Sequence, residues 1–218
     1  AIRNAFENHM ALTRQLGDWV VNAGQRLADA PRPLRDDAPQ LARLYADGAI
    51  SPYERPADCR YDAGSKQTLR GALSQVLNEV NKLTGGAVLA AAADLYGSTN
   101  VSGITKGMGS GFWQPATNPE SRLFSGGGIT EDAIGGICSG IATMGHQIGV
   151  GSSYGAFIAP LNVIAAKTHG IGMQTMRHRT PNEPNKTFVV ICGHAGVKTG
   201  EDGPTHAEPQ ALQIFQEN

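Results

Sequence analysis

The 218-residue chain has almost no net charge: 18 Lys and Arg stand against 19 Asp and Glu, a formal balance of −1. A general polyanion binder needs a strong basic excess to neutralise phosphates, so nucleic acid is excluded as a partner. Cysteine is scarce. Cys59, Cys138 and Cys192 are too few and too scattered for a disulfide framework or a zinc site. No apolar run reaches the ~18 residues of a membrane span, and the first residues lack the apolar core of a secretory signal. Also missing are HExxH, CxxC and a Walker A loop. The GxGxG at 107–111 follows a polar loop rather than a strand, which removes its value as a dinucleotide signature. Ser110 and Ser139 lie between glycines but not in G-x-S-x-G, so no hydrolase elbow is indicated. No internal repeat is visible. These absences leave a ligand-handling α/β protein, expected in the cytoplasm without a membrane partner.

Glycine is what the chain has in excess. There are 28, crowded between 85 and 203, about twice the usual share. Glycine at that density implies tight turns and close backbone approach, often to a ligand. The 40 % apolar and 17 % charged residues give a globular balance.

Phe6, Met10, Leu16, Trp19, Val20 and Leu27 recur at helical spacing and predict one amphipathic helix from 4 to 30, ended by Pro31 and Pro33. A short helix over 38–46 completes a helical segment at 1–50. The stretch 51–64, with Pro52 and Pro56 and no periodicity, reads as a linker. Beyond it Leu69, Leu73, Val76, Leu77, Val80 and Leu83 form a helix face closed by Gly85-Gly86. Apolar residues 87–92 show no alternation, as in a strand buried on both faces. A polar loop follows over 96–111. Further strands are predicted at 123–124, around 153–158 and at 186–192, with helices over 131–144 and 162–169. Such alternation argues for a mainly parallel sheet with helices on both faces. Ligands of such sheets sit outside the carboxyl ends of the strands. Asp94, Glu131 and His194 all fall near that edge.

Residues 193–206 read GHAGVKTGEDGPTH, with two histidines and an acid pair directly after a strand. The run GEDGPTH at 200–206 resembles the signature loop of transketolases, whose further histidine is matched by His194, eight residues before Asp202. Three other segments resemble the same family in order and spacing: Leu69-Arg70 opening a helix, Ala93-Asp94-Leu95 followed by Ser98, and Gly128-Ile129-Thr130-Glu131 leading into a Gly-rich helix. The resemblance implies a pyrimidine-binding domain of a thiamin diphosphate enzyme over 65–218, cut short at its C-terminus. It implies a three-layer α/β fold preceded by a helical segment. In the family the active site lies between two domains on different subunits. The diphosphate-binding partner carries a GDG motif and Mg²⁺ (or Ca²⁺). This chain has no GDG, so it is expected to hold no metal and to supply half of a site within an oligomer.

The residues that match the family's motifs acquire roles by that resemblance. Glu131 matches the acid beside the aminopyrimidine that activates the cofactor; a first-turn acid on a helix dipole is its plain structural reading. Phe157 matches the ring against the aminopyrimidine, with Tyr154 as the alternative and core packing as the plain reading. His194 and His206 match loop histidines that lie against the substrate and exchange protons with it, and His206 also borders the cofactor. Asp202 would accept from a sugar hydroxyl, although Asp-Gly is also a common turn. Arg70 and Ser98 match positions that hold a substrate phosphate. Asp94 matches a position near the cofactor. His9, His146, His169 and His178 match nothing.

The family's usual G-I-R-E-H is here Gly128-Ile129-Thr130-Glu131-Asp132, and Ala195 stands where an Asp is usual. The expected function is transfer of a two-carbon ketol unit between ketose and aldose phosphates, a pentose-phosphate-pathway chemistry. A dihydroxyacetone synthase and a non-catalytic assembly subunit are the alternatives.

Overall fold

The structure, a computed structural model, describes residues 2–30, 33, 35–46, 48–51, 53–164, 172, 174, 186–194 and 203–208. The chain forms two compact units, Ala1–Ala38 and Pro39–Asn218. In the first, the predicted single helix is two: α1 (Ile2–Asn8) and α2 (Met10–Asp29). The break is His9, whose φ of −127° and ψ of 48° leave the helical region. Neither proline nor glycine marks it. Thr13 bridges the break, its hydroxyl donating to Phe6 O at 3.0 Å and His9 O at 3.1 Å. No residue of α1 or α2 is buried.

The second unit is built on a four-stranded parallel sheet in the order β2-β1-β3-β4. The strands are β1 (Val88–Ala92), β2 (Leu123–Phe124), β3 (Ile148–Tyr154) and β4 (Phe188–Gly193). The helices are α3 (Leu69–Thr84), α4 (Val101–Ile104), α5 (Glu131–Met144) and α6 (Ala159–Val163). Successive residues of a strand point to opposite faces, so the sheet has two cores. Val88, Ala90, Ala92, Ile148, Val150 and Ile191 pack with Leu77 and Val80 of α3 and Val101 and Ile104 of α4. On the other face Ala91 and Ala93 pack with Ile134 and Cys138 of α5, flanked by Phe124 and Phe188.

Local chemistry sets the boundaries. Thr68 caps α3 by accepting from Gly71 N at 3.2 Å, and Gly85, at φ 70°, ends it in a left-handed turn. The buried amide of Asn81 then ties helix to strand. It accepts from Val88 N at 2.6 Å and donates to Val88 O at 3.1 Å and Ile104 O at 3.0 Å. The helix at 131–144 and the strand at 123–124 match expectation.

Three expectations differ. The third strand runs 148–154 rather than 153–158, and Gly155–Phe157 is a 3₁₀ turn. Segment 38–46 contains a 3₁₀ turn, Leu41–Tyr45, whose Leu41 and Leu44 pack on the first core. The polar loop at 96–111 includes α4. The rest of the helix expected over 162–169 lies outside the described residues, as does the loop at 195–202.

The displaced strand has a physical reason. Gly149 and Gly151 break the apolar pattern, yet both are required on the α5 face. A Cβ at Gly149 would overlap the backbone carbonyl of Cys138, and one at Gly151 would lie 2.7 Å from Leu161 Cδ2. Gly149 thereby lets the backbone of α5 lie directly on β3, and Gly151 makes room for Leu161 of α6.

Candidate active site

The carboxyl edge of the sheet gathers most of the expected residues. Glu131 is the first residue of α5 and is half-buried. Its Oε1 accepts a hydrogen bond from Ser153 Oγ at 2.8 Å, and Ser153 is only 3 % exposed. Oε2 has no partner among the described residues. One oxygen is therefore anchored, and among the described residues the other is unengaged.

The neighbouring strand tip carries a second cluster. Tyr154 ends β3 and is paired in register with Gly193 at the end of β4. A Cβ at Gly193 would meet the Tyr154 ring at 3.1 Å, so glycine is what lets the two strand ends close up. His194 follows at once in a left-handed conformation, φ 48°, which non-glycine residues seldom adopt. Its imidazole lies 4.4 Å from the Tyr154 ring, tilted 36°. His206, in the 3₁₀ turn Pro204–His206, meets the same tyrosine edge-on at 5.5 Å and Phe157 edge-on at 5.3 Å. One buried phenol ring thus contacts both histidines.

Of the two aromatic candidates only one is open. Tyr154 is 2 % exposed and Phe157 is 39 % exposed. An incoming planar ring can stack on Phe157, whereas Tyr154 is already enclosed.

Asp94 follows β1 after Ala93 and is exposed. Ser98 lies in the next turn, half-buried, its hydroxyl 3.4 Å from Leu95 O. Arg70 is in the first turn of α3, and its Nε is enclosed with no hydrogen-bond partner among the described residues. An enclosed guanidinium nitrogen without an acceptor is expensive, and a bound anion would satisfy it. Neither Arg70 nor Ser98 hydrogen-bonds to Glu131 or His206. Asp202, His169 and His178 lie outside the described residues.

Two neighbours gave no chemical signal in the sequence. Ser153 is one of many serines, and only its place at the tip of β3, on the α5 face, makes it the partner of Glu131. Tyr96 is the other: burial pushes its phenol up from the ordinary value, and its hydroxyl donates to Phe124 O at 3.0 Å. That bond ties the loop after β1 to the end of β2. Cys138 lies two turns along the Glu131 helix on its buried face, its thiol donating to Val150 O and pushed up to about 12 by burial. It has none of the thiolate character a nucleophile needs.

No group of three or more His, Cys, Asp or Glu among the described residues could hold a metal ion. No described helix is long and apolar enough to cross a membrane.

Comparison with known proteins gives the family. The model for the transketolase pyrimidine-binding domain matches residues 65–217. No curated protein matches. Among solved structures, a transketolase variant from Pichia stipitis is 20 % identical with a TM-score of 0.50, covering 98 % of this chain and 29 % of that one. The transketolase of Campylobacter jejuni is 24 % identical at a TM-score of 0.49, with 68 % of this chain and 20 % of that one covered. That of Leishmania mexicana is 19 % identical at 0.48, with 68 % and 19 % covered. At such identities the Pichia likeness shows a shared fold. The chain spans between 19 % and 29 % of the length of these transketolases. With the site at the carboxyl edge of a parallel sheet and the family model spanning 65–217, the chain belongs to the transketolase pyrimidine-binding domain family.

Proposed function

We propose that this chain supplies the aminopyrimidine-binding half of a transketolase-type active site that moves a two-carbon ketol unit between ketose and aldose phosphates. The observation that carries the reading is Glu131: a half-buried carboxylate with Oε1 fixed by Ser153 and Oε2 without a partner among the described residues, on the same sheet edge as two histidines and an open phenyl ring. That donor set fits an aminopyrimidine, which needs one carboxylate at a ring nitrogen and one apolar face. Thiamin diphosphate, when bound, supplies the nucleophilic carbon and electron sink that C–C transfer requires.

The chain's own residues do the rest. Glu131 holds a proton against the ring nitrogen and so favours the reactive tautomer. Phe157 covers one face of the ring and excludes water from it. His194 and His206 give and take protons at the substrate's carbonyl and hydroxyl oxygens. Asp202 accepts from a sugar hydroxyl, and Asp94 borders the cofactor. Arg70 and Ser98 receive the phosphate, with the enclosed Nε of Arg70 as the supporting observation.

Residues 65–218 form the pyrimidine-binding domain in this reading, preceded by a helical segment at 1–50 and a linker at 51–64. A GDG-containing domain or subunit would hold the diphosphate through Mg²⁺ or Ca²⁺. The assembly would be a cytoplasmic homo-oligomer of such units, acting in the pentose phosphate pathway. The test is turnover by the assembled enzyme carrying Glu131→Gln or Glu131→Ala. Ketol transfer falls by about a hundredfold or more, with an unchanged melting temperature. Near-normal turnover in either variant overturns the reading and favours a non-catalytic assembly subunit.

A further inference from the structure

The tip of β3 puts two adjacent residues to opposite use. Strand side chains alternate between faces. Gly149, Gly151 and Ser153 lie on the α5 face, where Gly149 lets α5 touch the sheet and Gly151 makes room for Leu161 of α6. Ile148, Val150 and Tyr154 lie on the other. Ser153 therefore faces Glu131, and Tyr154 faces His194 and His206. Both are buried, at 3 % and 2 % exposure, so neither can move without its neighbours. From this geometry, and resting on the function proposed above, we infer that Ser153 and Tyr154 are positioning residues with separate duties. Ser153 orients the carboxylate for the cofactor, and Tyr154 orients the histidine pair for the substrate.

The hydroxyl of Ser153 donates to Oε1 alone. A carboxylate pinned by one oxygen keeps the second aimed in one direction, rather than swinging about its last torsion. That pre-alignment is what an acid set against a heteroaromatic nitrogen needs. Tyr154 works through packing. Its ring is 4.4 Å from one imidazole and 5.5 Å from the other, so the two histidines are referred to one rigid platform. His194 cannot relax readily, since Gly193 is pressed on the same ring and its own backbone is left-handed.

The experiment separates the duties in the assembled enzyme by measuring thiamin diphosphate affinity by calorimetry and sugar-phosphate KM by initial rates. Ser153→Ala weakens cofactor binding about tenfold and leaves the substrate KM within twofold, and Ser153→Thr restores binding. The loss disappears when Ser153→Ala is placed on a Glu131→Gln background, because the serine acts only through that carboxylate. Should Ser153→Ala fail to fold, Ser153→Cys keeps the volume with a weak donor and gives the same loss. Tyr154→Leu does the converse: substrate KM rises severalfold, cofactor affinity holds, and Tyr154→Phe behaves as wild type. Wild-type cofactor affinity in Ser153→Ala, an equal loss on the Glu131→Gln background, or parallel changes in both readouts from Tyr154→Leu overturns the inference. Unchanged cofactor affinity and turnover in Glu131→Gln alone would instead remove the function on which it rests.

Discussion

The two faces of β3 solve opposite problems with the same seven residues. On the α5 face the strand offers Gly149, onto which the helix backbone comes down, and Gly151, which admits Leu161 of α6. On the α3 face it offers Ile148 and Val150, and side chains fill the space. The lesson is that a candidate functional acid can be delivered by absence: without a side chain at Gly149, α5 seats closely enough for Glu131 at its start to reach Ser153. The filled face instead carries the stability and ends in Tyr154, the ring the histidines lean on.

Adding a methyl to the empty face gives the largest expected effect on stability. Gly149→Ala sets a Cβ against the Cys138 carbonyl, a backbone atom that no rotamer change can relieve. It should cost about 3 kcal/mol in urea unfolding, at the upper end of overpacking costs, and Glu131 should lose its serine. A loss under about 1 kcal/mol would mean that α5 is not seated as described. On the filled face Asn81→Ala strips Val88 N–H and two carbonyls of their buried partner. About 2–3 kcal/mol should be lost, with the glycine-lined face undisturbed, so Cys138 stays as slow to alkylate as in wild type.

Cys138 itself gives a pH test of the seal between α5 and the sheet. Its thiol is pushed from 9.0 to about 12 by burial. A pKa raised on folding means that the unfolded chain releases its proton first. Stability is therefore complete below pH 9 and declines as pH climbs from 9 toward 12, by up to about 1.4 kcal/mol per pH unit. Urea melts at pH 8 and pH 10 measure the decline, and Cys138→Val should reduce it, leaving the smaller part owed to the thiols of Cys59 and Cys192, which burial also pushes up. An equal slope in the variant would place the titrating group elsewhere. The smallest effect on stability belongs to Phe157→Leu. The ring is largely open, so melting should move by no more than about 0.5 kcal/mol, while cofactor affinity in the assembled enzyme falls. A large stability loss would make Phe157 a core residue rather than a ligand-facing ring.

How much of this was legible in the sequence depended on what kind of signal each element carries. α5 was readable to the residue because Thr130-Glu131 opens it and Gly145, left-handed at φ 83°, closes it. β1 and β4 announced themselves as apolar runs. β3 did not, because Gly149 and Gly151 look like loop residues, and their purpose exists only once α5 and Leu161 of α6 lie over them. The break at His9 has no composition cue. Among site residues, Glu131, His194, His206 and Phe157 were named from motifs, and the structure brings the last three together around Tyr154. Ser153 was invisible, since a serine in a strand has no signature until its partner arrives from 22 residues away.

Whether these residues form half of a site is decided by native mass spectrometry. The assembled protein and the isolated chain would each be sprayed with thiamin diphosphate and Mg²⁺. Half of a site means cofactor on the assembly of this chain with a GDG-containing domain, none on the isolated chain, and loss from the assembly with Glu131→Ala. Cofactor held stoichiometrically by the isolated chain, or an assembly that binds none, would contradict it.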